Sequence, residues 1–316
     1  MSEPGVMLPG NPLPSRSSVA TVGTFDGVHK GHQAVLDKLI SEAKKRGNPS
    51  LVVTFDPHPL RVVRPEAAPR LLCSTPEKAA LLRASGVDEI AIVPFNRVLA
   101  GYSPREFVER VLLGHFGMDH LVIGYDHGFG KDRSGDAGTL QSIGEELGYG
   151  VTVVPHTDLD ARPISSTRIR LLLLDGDVVD AARALGRPYS IDGRVVKGDH
   201  RGRELGFPTA NLDAVDAEKV LPAEGIYAVR AQVDGVGLRR PAVLHLGARP
   251  TFPGARPTIE AYLLDFEGNL YDHALRIHFL TRIRGIRAFD STDALIVAMD
   301  QDVEAARHVF ESDSVA

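Results

Sequence analysis

Tryptophan is absent from this 316-residue chain, and cysteine occurs once, at Cys73. A single thiol excludes an intramolecular disulfide framework and a cysteine-rich zinc site. Aromatic residues make up 6%, which argues against the stacked platforms that bind single-stranded nucleic acid. No stretch approaches the roughly 18 uninterrupted apolar residues of a membrane span. The first residues lack a basic segment followed by an apolar run, so no secretory signal is read there. Nor does charge of one sign dominate. Lys plus Arg is 36, Asp plus Glu is 41, and the formal net charge is −5. Such a balance gives no general attraction to nucleic acid or to an anionic membrane surface. What is present, 43% hydrophobic and 24% charged residues, is the profile of a globular protein. A reduced, cytoplasmic protein is expected, with neither nucleic acid nor membrane as partner. Nothing in these features sets an oligomeric state.

The length suits two domains of about 150 residues. Residues 1–16, with scattered Pro and Gly, read as a flexible lead-in. Strand and helix signals then alternate through residues 17–187. The strands are Val19–Phe25, Leu51–Phe55, Glu89–Phe95, His120–Gly124 and Val151–Pro155. Between them run helical patterns: Val35, Leu36, Leu39, Ile40 and Ala43; a start at Thr75-Pro76-Glu77; a capping box at Ser103–Glu106; and Leu140, Ile143 and Leu147. Short apolar strands separated by helices predict a doubly wound, mostly parallel sheet covered on both faces. Ligands of such sheets sit beyond the carboxyl ends of the strands. A helical pair follows Ile164. At Arg187-Pro188 the pattern changes, and residues 188–316 form a second domain. Its segments are short and β-rich: Ile191–Val196, Gly225–Val233, Arg239–Leu246, Thr258–Phe266 and Leu275–Leu280. They predict a small antiparallel barrel or sandwich. It ends in a helix with Leu295, Met299, Val303, Ala306 and Phe310 on one face.

Two constellations carry chemistry in the first half. Gly23-Thr24-Phe25-Asp26-Gly27-Val28-His29-Lys30-Gly31-His32 joins the first strand to the first helix. Gly23 and Gly27 permit a tight turn and close backbone approach. His29 and His32 stand at i and i+3 where the helix offers unsatisfied N–H groups and a positive dipole end. Histidines there stabilise charge developing at phosphorus. The alternatives are a metal pair, for which i and i+4 is the commoner spacing, or a satisfied surface pair. Ile164-Ser165-Ser166-Thr167-Arg168-Ile169-Arg170 opens the helix after the fifth strand. Hydroxyls and arginines at a helix start make a second anion-binding end, with Arg170 suited to a leaving pyrophosphate. Standing alone, it would also read as an ordinary helix cap with surface arginines.

The second half holds Gly198-Asp199-His200-Arg201-Gly202-Arg203-Glu204-Leu205-Gly206-Phe207-Pro208-Thr209-Ala210-Asn211. A glycine-rich basic loop can wrap phosphate with backbone N–H groups, or serve as a mobile turn. It is not a Walker A loop. Thr209 and Asn211 offer neutral oxygens two residues apart, suited to a magnesium ion that keeps its waters and substrate phosphates. Glu260 lies opposite Ile259, Ala261 and Leu263 on an alternating strand. A carboxylate there is either simply solvated or a base for an attacking hydroxyl.

These motifs carry a family resemblance. GTFDGVHKGH and ISSTRIR resemble the H-x-G-H and ISST-x-x-R motifs of the nucleotidyltransferases. Thr54-Phe55-Asp56-Pro57-His58-Pro59 and Gly124-Tyr125-Asp126-His127-Gly128-Phe129-Gly130 narrow the likeness to the FMN adenylyltransferase module of bacterial bifunctional riboflavin kinase/FAD synthetases. GDHRGRELGFPTANL, RPTIEAYLLDF and Arg282-Ile283-Arg284…Phe289 resemble that family's kinase fingerprint, glutamate strand and flavin flap. Tyr262 stands where a histidine is common, and Ile286 where the flap often has an acidic residue. The resemblance implies ATP, riboflavin, FMN and FAD as substrates and products, with Mg²⁺ as cofactor. It implies catalytic roles for His29, His32, Arg170 and Glu260. Gly23, Phe25, Gly31, Asp126, Ser165, Ser166 and Thr167 would bind ATP in the first module, and Gly198, Arg201, Gly206 and Pro208 in the second. His58, Pro59 and Arg284 would meet flavin, and Thr209 and Asn211 would hold the metal. Rival readings are another H-x-G-H adenylyltransferase, which would need no PTAN barrel, and a non-catalytic flavin-binding protein.

Overall fold

The structure is a computed structural model that describes residues 6–7, 17–125, 128–130, 134–198, 206–213, 216–234, 239–247 and 258–313. Its contacts divide the chain into two compact units, residues 1–166 and 167–316.

The first unit is built on a six-stranded parallel sheet. In chain order its strands are β1 (Val6–Met7), β2 (Ser18–Val22), β3 (Ser50–Asp56), β4 (Glu89–Pro94), β5 (Met118–Gly124) and β6 (Gly150–Val154). Their order across the sheet is β1-β4-β3-β2-β5-β6. The expected lead-in is therefore corrected at one place: Val6 and Met7 pair in parallel with Ile90 and Ala91. The helices are α1 (Lys30–Arg46), α2 (Pro59–Val63), α3 (Thr75–Ala84), α4 (Arg97–Ala100), α5 (Pro104–Phe107) and α6 (Ala137–Leu147). A wide i to i+5 turn, Val108–Leu113, extends α5. Val35, Leu36 and Leu39 of α1 and Leu82 of α3 join Val19, Val52 and Ile90 in one buried layer. Phe107, Leu112, Leu140 and Ile143 pack with Ala20, Leu51 and Leu121 in the other. Alternate strand residues thus serve opposite faces, as a sheet covered on both sides requires. The start of α3 is one residue earlier than its sequence suggests. Ser74, not Thr75, is the cap, exchanging hydrogen bonds with Glu77. A two-residue hairpin, β7 (Asp158–Leu159) with β8 (Arg162–Pro163), closes the unit.

The sheet reverses its winding at β2, whose neighbours are β3 on one side and β5 on the other. The crevice at such a switch point is where open α/β sheets bind ligands. The chain leaving β2 there is the Gly23–His29 segment.

The second unit begins with α7 (Ser166–Asp175), from its second residue Thr167 onward, and α8 (Val178–Leu185). The sequence places the seam at Pro188, but this helical pair packs with the barrel. Ala223 N–H donates to Leu173 O at 2.9 Å, and Arg282 donates to Asp175 O at 3.4 Å. The barrel strands are β9 (Ser190–Val196), β10 (Ala210–Asp213), β11 (Gly225–Val233), β12 (Arg239–Gly247), β13 (Thr258–Leu263) and β14 (Ala274–Arg284). They close in the order β10-β13-β12-β11-β14-β9. Strand β10 is not apparent from the sequence, where it reads as the end of a glycine-rich loop; it bridges β13 and β9 and so closes the barrel. The last helix, α9 (Thr292–Asp313), lays Ala306 and Phe310 on Ala228 and Leu264, flanked by Val243 and Tyr262. No helix among the described residues is long and apolar enough to cross a membrane.

Candidate active sites

In the first unit, His29 is the cap of α1. Its Nδ1 accepts a hydrogen bond from His32 N–H at 3.3 Å. In a neutral ring the proton then resides on Nε2, which becomes the donor. The two imidazoles stack, with centroids 3.7 Å apart and planes 14° from parallel. Gly31 makes this possible: a Cβ there would lie 3.2 Å from the His29 ring. Phe25 tilts against His32 with centroids 5.0 Å apart. A side chain at Gly23 would crowd the Phe25 ring at 3.1 Å. The turn is strained, with Phe25 at φ 48°, Gly27 at φ 80° and Val28 at φ 39°. Left-handed backbone at a β-branched residue persists only where the surroundings enforce it, and such strain clusters at functional sites.

The enforcing residue is Asp26, whose importance the sequence does not reveal. Its buried carboxylate accepts from Leu72 N–H at 2.9 Å and Cys73 N–H at 3.2 Å. Gly27 N–H in turn donates to Cys73 Sγ at 3.1 Å. Burial, with Asp26 beside it, pushes the Cys73 thiol up to about 12, so this cysteine is an inert structural acceptor. The hydroxyl of Ser166 donates to Asp26 O at 2.9 Å. A Cβ on Gly31 would sit 3.7 Å from Ile164 O. The start of the ISSTRIR segment is thereby brought against the histidine turn. Ser165 is half-buried there; Thr167 is exposed, and Arg168 and Arg170 are half-buried on α7, within the second unit.

His32 is held neutral. Burial, the neighbouring His29 and the Lys78 ammonium together depress its pKa well below the usual histidine value. Its Nδ1 is buried with no hydrogen-bond partner among the described residues, an orphaned polar atom of the kind a ligand satisfies. His58 caps α2, its Nδ1 accepting from Leu60 N–H at 3.2 Å, with Pro59 in the first turn. Asp126 lies outside the described residues.

In the barrel, register places the chemistry in one row. Asn211 on β10 faces Glu260 on β13, and Glu260 faces His245 on β12. The row continues through Ile226 on β11 to Arg284 on β14. Cross-strand partners share a face. Ile259, Ala261 and Leu263 fill the interior, so Glu260 points outward. One step along the same face, Val243 and Tyr262 lie under α9, so the row flanks the helix-covered patch. Thr209, in the chain just before β10, donates from Oγ1 to Glu260 Oε2 at 3.3 Å. Gly198 permits the approach of Asn211: a Cβ there would lie 2.2 Å from the Asn211 amide nitrogen. Gly206 has φ 87°, and Pro208 is exposed beside it. Arg201 lies outside the described residues.

Arg284, expected to meet flavin, is held in an ion pair. Its Nε and Nη2 donate to the two oxygens of Asp302 on α9 at 2.8 and 2.6 Å. Its Nη1 donates to Gly285 O at 3.1 Å. Through this pair Arg284 ties the end of β14 to α9. It also lies over the Phe289 ring at 5.6 Å from the centroid, as does Arg287 at 4.9 Å. The buried carboxylate that receives it sits on the inward face of α9, where the apolar pattern alone suggests only packing.

Paired imidazoles capping a helix at a switch point, and a hydroxyl–amide–carboxylate row on a barrel, are groups suited to a transferase that handles phosphate. Comparison with known proteins agrees. The family model for FAD synthetase matches residues 12–168, and that for riboflavin kinase matches residues 185–310. The bifunctional riboflavin kinase/FMN adenylyltransferase of Pseudomonas fluorescens is 41% identical over 293 residues, 92% of this chain and 93% of the relative. That of Escherichia coli is 38% identical over 298 residues, 94% of each. A solved structure from Streptococcus pneumoniae, described as a macrolide-efflux protein, superposes with TM-score 0.87 at 31% identity over 96% of this chain and 98% of that one. The chain belongs to the bifunctional riboflavin kinase/FMN adenylyltransferase family.

Proposed function

We propose that the barrel transfers the γ-phosphoryl of ATP to riboflavin at the Asn211–Glu260 row, and that the first unit transfers the adenylyl group of a second ATP to FMN at the His29–His32 turn. The products are FMN, then FAD and pyrophosphate. Both activities are those named for the family. The stacked imidazole pair on the cap of α1 is the observation that carries the assignment of sites.

At the first site the attacking group, the FMN phosphate, is already an anion, so no base is required. Neutral imidazoles donating from defined nitrogens, with the dipole end of α1, stabilise charge on the α-phosphoryl oxygens. Gly23, Phe25 and Gly31 shape the turn that presents them, and Ser165, Ser166 and Thr167 lead into the arginines of α7. Arg170 is assigned to the leaving pyrophosphate and Asp126 to the ATP phosphates. His58 and Pro59 are assigned to the flavin.

At the second site Glu260 takes the proton of the riboflavin 5′-hydroxyl. The donors gathered there are all oxygens: a hydroxyl, an amide and a carboxylate. That set suits Mg²⁺. Thr209 directs its hydroxyl proton to Glu260, which leaves its oxygen lone pairs for a cation, and with Asn211 it would hold the ion. When bound, Mg²⁺ would neutralise phosphate charge. Gly198, Arg201, Gly206 and Pro208 frame the ATP loop. Arg284 serves flavin binding through Phe289, which it supports. A buried reduced thiol and ATP-consuming chemistry suit a cytoplasmic enzyme. Efflux, the description of the pneumococcal structure, gains no support from either centre, since both gather groups suited to phosphate.

The test is chromatography of flavins after incubation with MgATP. His29→Ala should stop FAD formation while FMN accumulates from riboflavin. Glu260→Gln should stop FMN formation while supplied FMN still becomes FAD. Loss of both activities in either folded variant would overturn the two-site assignment.

A further inference from the structure

Lys78, on α3, is an unusual resident of a protein interior. Lysine is almost never fully buried unless paired, yet Lys78 is only 7% exposed. Its Nζ donates to Phe55 O at 2.9 Å, the one hydrogen bond of its ammonium among the described residues. No carboxylate there lies within ion-pair distance. Burial is the largest influence on its pKa and lowers it below the usual lysine value; of the charged and titratable groups that face it, Cys73, Asp26 and Asp56 act the other way and favour its cation, and His32 feels its charge. Each carboxylate has work elsewhere. Asp26 accepts from Leu72 and Cys73, and Asp56 accepts from Thr75 Oγ1 at 3.0 Å. Packing alone does not call for an ammonium at this position, because the stem of a methionine would fill the same space.

Its location suggests why a cation is there. Leu72 and Cys73, just before α3, are bonded to the strained histidine turn through Asp26. Phe55 ends the buried part of β3 and leads into Asp56-Pro57-His58-Pro59. Lys78 therefore stands between the two segments that the proposed adenylyl site uses, and its charge is felt at His32.

We propose that Lys78 is a positioning residue for adenylyl transfer: a fixed cation behind the paired imidazoles, and a strut that holds the Phe55 carbonyl and so the flavin-side loop. The inference rests on the reading of His29 and His32 as the adenylyl site. A phosphate arriving at two imidazoles favours their protonation, and two imidazolium rings stacked at 3.7 Å would repel each other. A cation held at this place supplies attraction for the phosphate while keeping the rings neutral, each with one proton on a defined nitrogen. The depressed pKa of His32 fits this arrangement.

The experiment uses the full chain with Lys78→Met and Lys78→Arg. FAD formation from supplied FMN and MgATP is followed from about pH 5 to 9, the range in which histidine charge changes. The His32 ring is followed over the same range by NMR, its signal assigned by loss in His32→Gln. In the wild type His32 should stay neutral well below the usual histidine midpoint. In Lys78→Met that midpoint should rise, and FAD formation should fall about 10- to 100-fold, the scale for outer-shell supports. Riboflavin phosphorylation, the internal control for folding, should stay within about twofold. Lys78→Arg, which keeps the charge, should hold the His32 midpoint low. A wild-type His32 that titrates at the ordinary value overturns the proposal, even if Lys78→Met cannot be prepared folded. So does a Lys78→Met enzyme with an unmoved midpoint or an undiminished rate. Should His29→Ala also leave FAD formation intact, the site reading itself fails. Should His29→Ala abolish it while Lys78→Met does not, only the role of Lys78 fails.

Discussion

Replacing Asp302 by asparagine isolates the link between α9 and the end of β14. The side chain keeps its shape and loses its charge and one of two acceptors. Arg284 and Asp302 share a bidentate pair at 2.8 and 2.6 Å, with side chains 21% and 7% exposed. Breaking a buried pair from one side costs about 3–5 kcal/mol. Asparagine retains one acceptor, and water reaches part of Arg284, so a loss of about 2 kcal/mol is expected. For a unit of about 150 residues that lowers Tm by roughly 4–8 °C. Arg284 also lies over Phe289, so the ring should lose its fixed place and KM for riboflavin should rise. Supplied FMN should still become FAD at the unaltered first site. Thermal unfolding and initial rates with riboflavin or FMN measure all three. An Asp302→Asn enzyme with unchanged Tm and unchanged riboflavin KM would refute the reasoning and return Arg284 to direct contact with flavin.

Two further outcomes follow from the barrel. Gly198→Ala would set a Cβ 2.2 Å from the Asn211 amide nitrogen and 2.5 Å from its Cγ; FMN formation should collapse while FAD formation from FMN persists, and equal loss of both would contradict it. His278, half-buried on β14, has its pKa lowered to about 4 from 6.5 by burial and by the nearby Arg239 and Arg276. Its folded form binds fewer protons than its unfolded form between those values. Stability from this residue is therefore complete above about pH 6.5 and is lost as pH falls toward about 4. At about 1.4 kcal/mol per pH unit the full window would give roughly 3 kcal/mol, and because water reaches part of the ring about half of that is expected. As pH drops through this window the wild type should lose stability relative to His278→Gln in denaturation curves, and parallel pH dependences would contradict the assignment.

The sheet and its helices were readable because each strand carries a continuous apolar run and each helix a one-sided stripe; Val35, Leu36 and Leu39 are buried as their spacing indicates. Gly31 was readable only through the H-x-G-H resemblance, and not as the seat of the His29 ring. Strand β10 was hidden because Ala210–Asp213 has four residues, and only two of its side chains alternate clearly between polar and apolar. Asp26 and Cys73 were hidden because their partners are 46 and 47 residues apart in the chain. Lys78 was hidden because a lysine in a helix pattern reads as solvated. The ion pair of Arg284 was hidden for a similar reason, since its carboxylate partner belongs to the inner face of a helix read as apolar.

The order of residues by itself determined the alternation of strands and helices, the two glycine-bearing turns and the chemical groups available in each, since propensity and periodicity act over a few neighbouring residues. Which groups meet was decided by the tertiary structure alone. Register across the barrel set Asn211, Glu260 and His245 side by side, and burial turned His32 into a neutral donor beside a hidden ammonium. Both depend on non-local geometry and on the exclusion of water, and neither is encoded in any short stretch of chain.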